Sequence, residues 1–134
     1  MTQVYVDSCI IIYLVEKHPI YFPSILNELR EMGEVNFVIS PLTRLEVLVK
    51  PMRDKNHALL ERYETFLSQQ VTLAIPNEVF DLALSLRSQY PLKTPDALHL
   101  ATAIYHQCES FWTNDNRLFF VADIKINSLP LLFY

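Results

Sequence analysis

Four acidic residues stand where their type could do chemistry: Asp7 in "VYVDSC", Glu46 in "RLEVLV", Asp96 in "TPDALHLA" and Asp115 in "WTNDNRL". A carboxylate among apolar residues must take up a proton, find a partner or hold a cation, because burying its charge alone is costly. Glu46 is flanked by Leu45, Val47, Leu48 and Val49 and, at helical spacing, shares a side with Leu42 and Val49. That depth in a helix leaves no capping role. Asp96 heads a stripe with Leu100 and Ala103, four and seven residues on, which places it on the inward face of its helix. His99 could pair with Asp96 at helical spacing; the expectation is that it flanks the site or meets solvent. Four acids brought together without a cation repel and raise one another's pKa values. A divalent ion resolves this, and an all-oxygen donor set suits Mg2+ or Mn2+ rather than zinc. Such an ion, keeping several waters, activates water, neutralises a phosphodiester and stabilises the leaving oxygen. No serine, cysteine or histidine nucleophile is then required.

Each acid also has a plainer reading. Asp7 could help Ser8 cap the first helix, and Asp115 could be a turn residue in "TNDN". Asp96 could be the second residue of a helix capped by Thr94 and opened by Pro95, where a negative charge complements the dipole.

The elements that must position these acids alternate. "VYV" reads as a strand stopping at Asp7, and Ser8 is placed to cap a helix through "CIIIYLVEK". "YFPSILNELREMG" reads as a second helix with Ile25, Leu29 and Met32 inward and Gly33 closing it. "VNFVI" is a strand, and Ser40-Pro41 opens a helix ended by Pro51. "DKNHALLERYETFLSQQ" follows with Leu59, Tyr63, Phe66 and Leu67 inward. "VTLAI" is a third strand, Pro76 starts "NEVFDLALSLRSQY", and Thr94-Pro95 opens "DALHLATAIYHQ". "SFWT" and a short "IKIN" complete the strands. This alternation predicts an α/β fold with a largely parallel sheet and helices on both faces. Ligands of such sheets bind beyond the carboxyl ends of the strands. Asp7 and Asp115 each follow a strand directly, and Glu46 lies two turns into the helix leaving the second.

The chain has 134 residues, the length of one domain spanning residues 1–134, and 51% of them are hydrophobic. Its single glycine, Gly33, rules out the glycine-rich nucleotide cradles. The net charge of −4 does not advertise nucleic-acid binding. Cations nevertheless cluster in residues 44–62, where Arg44, Lys50, Arg53 and Lys55 are candidate phosphate contacts or simply a solvated helix face. Cys9 and Cys108 have no metal-like spacing. Cys9 is expected to pack as a small hydrophobe, and both suit a reducing cytoplasm. No secretory signal or membrane span is expected.

Four fragments in this order, "VYVDSC", "ISPLTRLEV", "LKTPDALHLATAI" and "FWTNDNRL", resemble the PIN domain family, and specifically its VapC-type toxin ribonucleases. The resemblance covers nearly the whole chain. It implies a three-layer α/β/α sandwich with a central, largely parallel sheet. It also implies a metal-dependent endoribonuclease leaving a 5′-phosphate and a 3′-hydroxyl. It assigns Asp7, Glu46, Asp96 and Asp115 to the family's acidic quartet, with Asp7, Asp96 and then Asp115 as Mg2+ or Mn2+ ligands. Glu46 is left to orient a water on the ion or to move a proton. Ser8 and Thr113 would support the carboxylates, and Asn114 would fill the spacer or bond locally. Cys9 departs from the small polar residue common there, which affects packing more than catalysis. The resemblance further implies a homodimer and a cognate antitoxin whose C-terminal segment fills a groove near the early helices. The apolar "SLPLLFY" is expected to pack on the domain's own sheet, with a dimer role open. Two rival classes are a catalytically silent PIN-like protein-binding module and an aspartyl-phosphate enzyme. The latter would want a second aspartate where Cys9 stands.

Overall fold

The structure is a computed structural model and describes residues 2–128. The apolar ending therefore lies outside the described residues, apart from Ser128. Five strands, β1 (Thr2–Val6), β2 (Val35–Ile39), β3 (Val71–Thr72), β4 (Ser110–Thr113) and β5 (Lys125–Ser128), form one sheet in the order β3-β2-β1-β4-β5. Every pairing is parallel. Helices α1 (Ser8–Val15), α2 (Tyr21–Met32), α3 (Pro41–Arg53) and α4 (His57–Ser68) lie between β1 and β3 in sequence, and α5 (Asn77–Gln89) and α6 (Thr94–Tyr105) between β3 and β4.

Side-chain alternation along the strands sorts these helices into two layers. Val4, Val6, Ile39 and Trp112 face one side and pack with Ile10 and Ile11 of α1, Ile25 of α2, Val47 of α3 and Tyr63 of α4. Tyr5, Val38 and Phe111 face the other and pack with Val79 and Leu86 of α5 and Ala97, Leu100 and Ala103 of α6. Strands covered on both faces read as continuous apolar runs, as "VYV" does. The result is the expected α/β/α sandwich. Its strand order reverses direction at β1, so the carboxyl ends of β1 and β4 flank the switch point where such sheets open a crevice.

Local details differ from the sequence expectations for definable reasons. The N-cap of α1 is Asp7, not Ser8: its Oδ1 accepts the Ser8 N–H at 2.8 Å. Pro51 does not end α3 but lies buried in its last turn. A proline there loses only one N–H bond, and the Asp54 N–H still closes onto Lys50 O at 2.9 Å. The third strand keeps only Val71 and Thr72, an exposed edge. On α3 the buried face is Thr43, Val47, Leu48 and Pro51, while Val49 is exposed, so Glu46 borders that face instead of sharing it with Val49. Lys93, not Thr94, occupies the N-cap of α6; Thr94 and Pro95 are its first residues, and Asp96 still falls in the first turn. Gly33 closes α2 at φ 76°, a conformation that disfavours any residue with a Cβ.

Candidate active site

Asp7 stands at the end of β1, and its backbone N–H continues the ladder onto Trp112 O at 2.9 Å. Its Oδ2 accepts from Thr113 Oγ1 at 2.8 Å, across the switch point. The same hydroxyl oxygen accepts the Asp115 N–H at 3.0 Å. Thr113, itself fully buried, thus fixes the first acid's side chain and the last acid's backbone together. Ser8 reaches the other way, its Oγ donating to Glu46 Oε1 at 2.6 Å. Asn114 Nδ2 donates to the Tyr13 hydroxyl on α1.

Glu46 Oε1 has a second partner, His99 Nε2, at 2.5 Å. His99 is 1% exposed. Its Nδ1 meets the Tyr5 hydroxyl at 2.6 Å, and that hydroxyl meets Ser40 Oγ at 2.8 Å. His99 therefore flanks the acids, as one part of the expectation had it, but it is buried and does not meet solvent. Helix α6 buries Ala97, His99, Leu100, Ala101, Thr102 and Ala103, which is more than one stripe. The run "ALHLATA" carried that signal, since a helix apolar nearly all round is buried nearly all round. Because α3 and α6 belong to opposite layers, the His99–Glu46 bond joins them across the strand ends.

Burial pushes the Glu46 carboxyl up, but hydrogen bonds from His99 and Ser8 outweigh it and leave it below the ordinary range. Asp96 goes the other way: burial first, then the charges of Asp7 and Asp115, raise it. Its carboxylate has no hydrogen-bond donor among the described residues. Asp115 is lowered by Arg117, whose Nε lies 2.9 Å from Oδ1 and whose Nη2 lies 2.5 Å from Oδ2. Lys93 adds a weaker pull on Asp115. Lys93, Asp96 and Arg117 line a cleft of about 280 Å³ with Leu92, Leu118 and Phe120. All four acids thus lie at the carboxyl end of the sheet, and the electrostatics couple Asp7, Asp96 and Asp115.

The donor chemistry fits a divalent ion. One atom each from Asp7, Glu46 and His99 lie within 4.8 Å of one another, so these three can hold a metal. A cation near Asp96 would relieve the repulsion that Asp7 and Asp115 exert on it. The thiols are ruled out as nucleophiles at neutral pH: burial, helped by the Asp7 charge, raises Cys9 to about 12, and burial raises Cys108 to about 11. A serine triad is excluded too, because Ser8 and His99 both bond Glu46 and not each other.

The four cations expected to meet RNA are exposed. Arg44 is tied to Glu64 at 2.7 Å. Lys50 and Arg53 follow on α3 and Lys55 in the turn after it. Since α3 starts at the strand ends and rises ~1.5 Å per residue, Arg53 lies about 10 Å further along its axis than Glu46. Sequence reading missed Lys93 and Arg117, the cations that pull on Asp115. Among the described residues no helix is long and apolar enough to cross a membrane.

Residues 4–124 match the PIN domain family, and the chain belongs to it. The fold is similar to a toxin–antitoxin complex from Klebsiella pneumoniae, at 26% identity and a TM-score of 0.73 over 90% of this chain and 94% of that one. It is also similar to VapBC2 from Rickettsia felis bound to a promoter DNA fragment, at 16% identity and a TM-score of 0.78 over 95% and 98% of the two chains. FitAcB from Neisseria gonorrhoeae matches at 21% identity and a TM-score of 0.68, over 92% and 95%. Among curated proteins no sequence match is found.

Proposed function

We propose that the chain is a single-domain, Mg2+- or Mn2+-dependent endoribonuclease acting as the toxin of a toxin–antitoxin pair. The observation that carries this is the convergence of Asp7, Glu46, Asp96 and Asp115 at the switch point of a PIN fold. Asp7, Asp96 and Asp115 would hold the ion, with Glu46 beside it. The bound ion supplies Lewis-acid chemistry, polarising water and the phosphodiester and stabilising the leaving oxygen. Glu46, ionised and fixed through Oε1, keeps Oε2 without a protein partner among the described residues. That oxygen orients the attacking water and accepts its proton. Thr113 holds Asp7 and the Asp115 backbone in register. Lys93 and Arg117 attract the RNA backbone to the cleft beside Asp96, and Arg44, Lys50, Arg53 and Lys55 extend that field along α3.

The antitoxin partner is inferred from relatives whose structures are toxin–antitoxin complexes. A groove of about 680 Å³ between α1 and α4, lined by Leu14, Val15, Lys17, Arg62 and Phe66, supports it as a place for a partner segment. A homodimer acting in the cytoplasm completes the proposal. The silent-module alternative loses ground because all four acid positions are filled.

The decisive experiment incubates the purified chain with total RNA and Mn2+ and maps new ends. Cleavage with 5′-phosphate ends, lost with EDTA and in Asp7→Asn, is expected. RNA left intact across Mg2+ and Mn2+ titrations, by protein freed of any antitoxin, would favour the silent module.

A further inference from the structure

The cleft beside Asp96 has walls of two kinds. It lies between the start of α6 and the 3-10 turn Asn116–Phe120 that follows Asp115. Lys93 and Arg117 bring charge to it, the buried Leu92 and Leu118 bring an apolar surface, and Phe120 brings a ring. Side chains three apart in a 3-10 turn eclipse, so Arg117 and Phe120 project side by side, about 6 Å apart along its axis. Lys93 has no ion pair among the described residues. Arg117, held to Asp115 through Nε and Nη2, keeps Nη1 for another acceptor.

Phe120 is 46% exposed and belongs to neither core layer. A lone exposed aromatic is ordinary. This one is braced: its ring lies 5.6 Å from that of Tyr90, centroid to centroid, and the Tyr90 hydroxyl donates to Asp123 Oδ1 at 3.3 Å. A braced ring loses little freedom when a flat partner stacks on it. The cleft's 280 Å³ falls at the lower end for small-molecule sites, roughly 300–1,000 Å³. It is a space for one nucleotide and not for a duplex. A free phosphate would leave the ring unused, and an apolar peptide would leave the two cations unmatched. A nucleotide matches both, and its base can reach the ring only when it is unpaired.

We propose that this cleft is a subsite for one unpaired nucleotide, its base stacked on Phe120 and its phosphate between Lys93 and Arg117, so that the next phosphodiester lies at Asp96. Phe120 is then a specificity residue that selects single-stranded RNA. This inference rests on the ribonuclease reading for the identity of its ligand.

Binding to the full chain tests it, by fluorescence anisotropy in EDTA so that cleavage does not intrude. The probe is a fluorescein-labelled RNA strand of mixed sequence, alone and annealed to its complement. The strand should bind about 10-fold more tightly than the duplex. Phe120→Ala should weaken binding of the strand about 10-fold, as the loss of one base–aromatic stack does, with the duplex and the salt dependence unchanged. Phe120→Leu, which keeps apolar bulk without a ring, should lose as much. Phe120→Trp should bind as the wild type does, and its emission should fall as the strand is added, because the native Trp112 is 1% exposed and out of reach. Lys93→Gln should instead flatten the salt dependence by about 0.7, the value of one phosphate on a single strand. Equal binding of strand and duplex by the wild type, or of the strand by wild type and Phe120→Ala, would overturn the subsite and leave the ring to a protein partner. Cleavage of the strand on adding Mn2+ would show that the ribonuclease reading survives that failure. The expected binding pattern without cleavage would keep the subsite and sink the ribonuclease reading. No binding of either RNA would overturn the subsite outright.

Discussion

The two halves of the acidic rim are built on opposite principles. On one side, Asp7 and Glu46 are tied down by donors, the part-buried Ser8 and the buried Thr113 and His99, which reach them at 2.5–2.8 Å. On the other, Asp96 has no donor among the described residues, and Asp115 is held by Arg117, an arginine 66% exposed at its side chain. The first half is satisfied as the protein stands. The second is balanced by exposed surface charge, and it borders the cleft lined by Lys93 and Arg117. Under the proposed mechanism, preorganisation would sit where a reacting water is aimed, and electrostatic tension where a cation is captured.

The largest effect should come from the tense half. Asp96→Asn is expected to lower RNA cleavage by more than about 100-fold, beyond the range for residues behind a metal ligand. It should also raise the melting midpoint of EDTA-treated protein, by at most about 3 °C given the solvent screening at this half-exposed site. A fall in that midpoint would show that Asp96 is not under repulsion. A smaller effect is expected from the cations. Arg117→Ala should raise the KM for RNA several-fold, and it should tighten Mn2+ binding by freeing Asp115. Reversing Arg53 and Lys55 together should weaken RNA binding less. Fluorescence anisotropy at several salt concentrations orders the two patches, and a steeper loss for the Arg53 and Lys55 pair would move the RNA path onto α3.

The smallest effect is a pH dependence of opposite sign in the two halves. Asp96 is raised in the folded state, so the fold binds its proton more readily than the unfolded chain does, and stability falls as pH rises through the folded value. The midpoint gap between Asp96→Asn and wild type in EDTA should therefore shrink as pH drops from 7 and close below the unfolded value of 3.8. Glu46 is lowered, so its contribution is present above 4.5 and is lost as pH falls through its folded value. A Glu46→Gln variant should accordingly lose its stability deficit at low pH, as read by calorimetry.

The acids themselves were legible because a carboxylate amid leucine and valine has few innocent explanations, and because cap-plus-proline pairs at Ser40 and Thr94 mark where helices begin. The parallel sheet followed from strands alternating with helices along the chain, and "VYV" is apolar without a break, as a strand covered on both faces should be. The burial of His99 was missed because the periodicity of one helix tells which side turns inward, not how wide the buried face is when a second layer closes over it. Arg117 was overlooked because "TNDNRL" reads as a turn, and only the folded turn brings the guanidinium back onto Asp115.

By itself, then, the sequence determined the element order, the parallel sheet and the identity of the four acids, since these depend on local periodicity and residue chemistry. Only the tertiary structure decided which acids are satisfied and which are strained. That distinction depends on donors from segments 35 to 106 residues apart, such as Tyr5 with Ser40 and Asp7 with Thr113. Their meeting is set by strand order at the switch point, which no local pattern encodes.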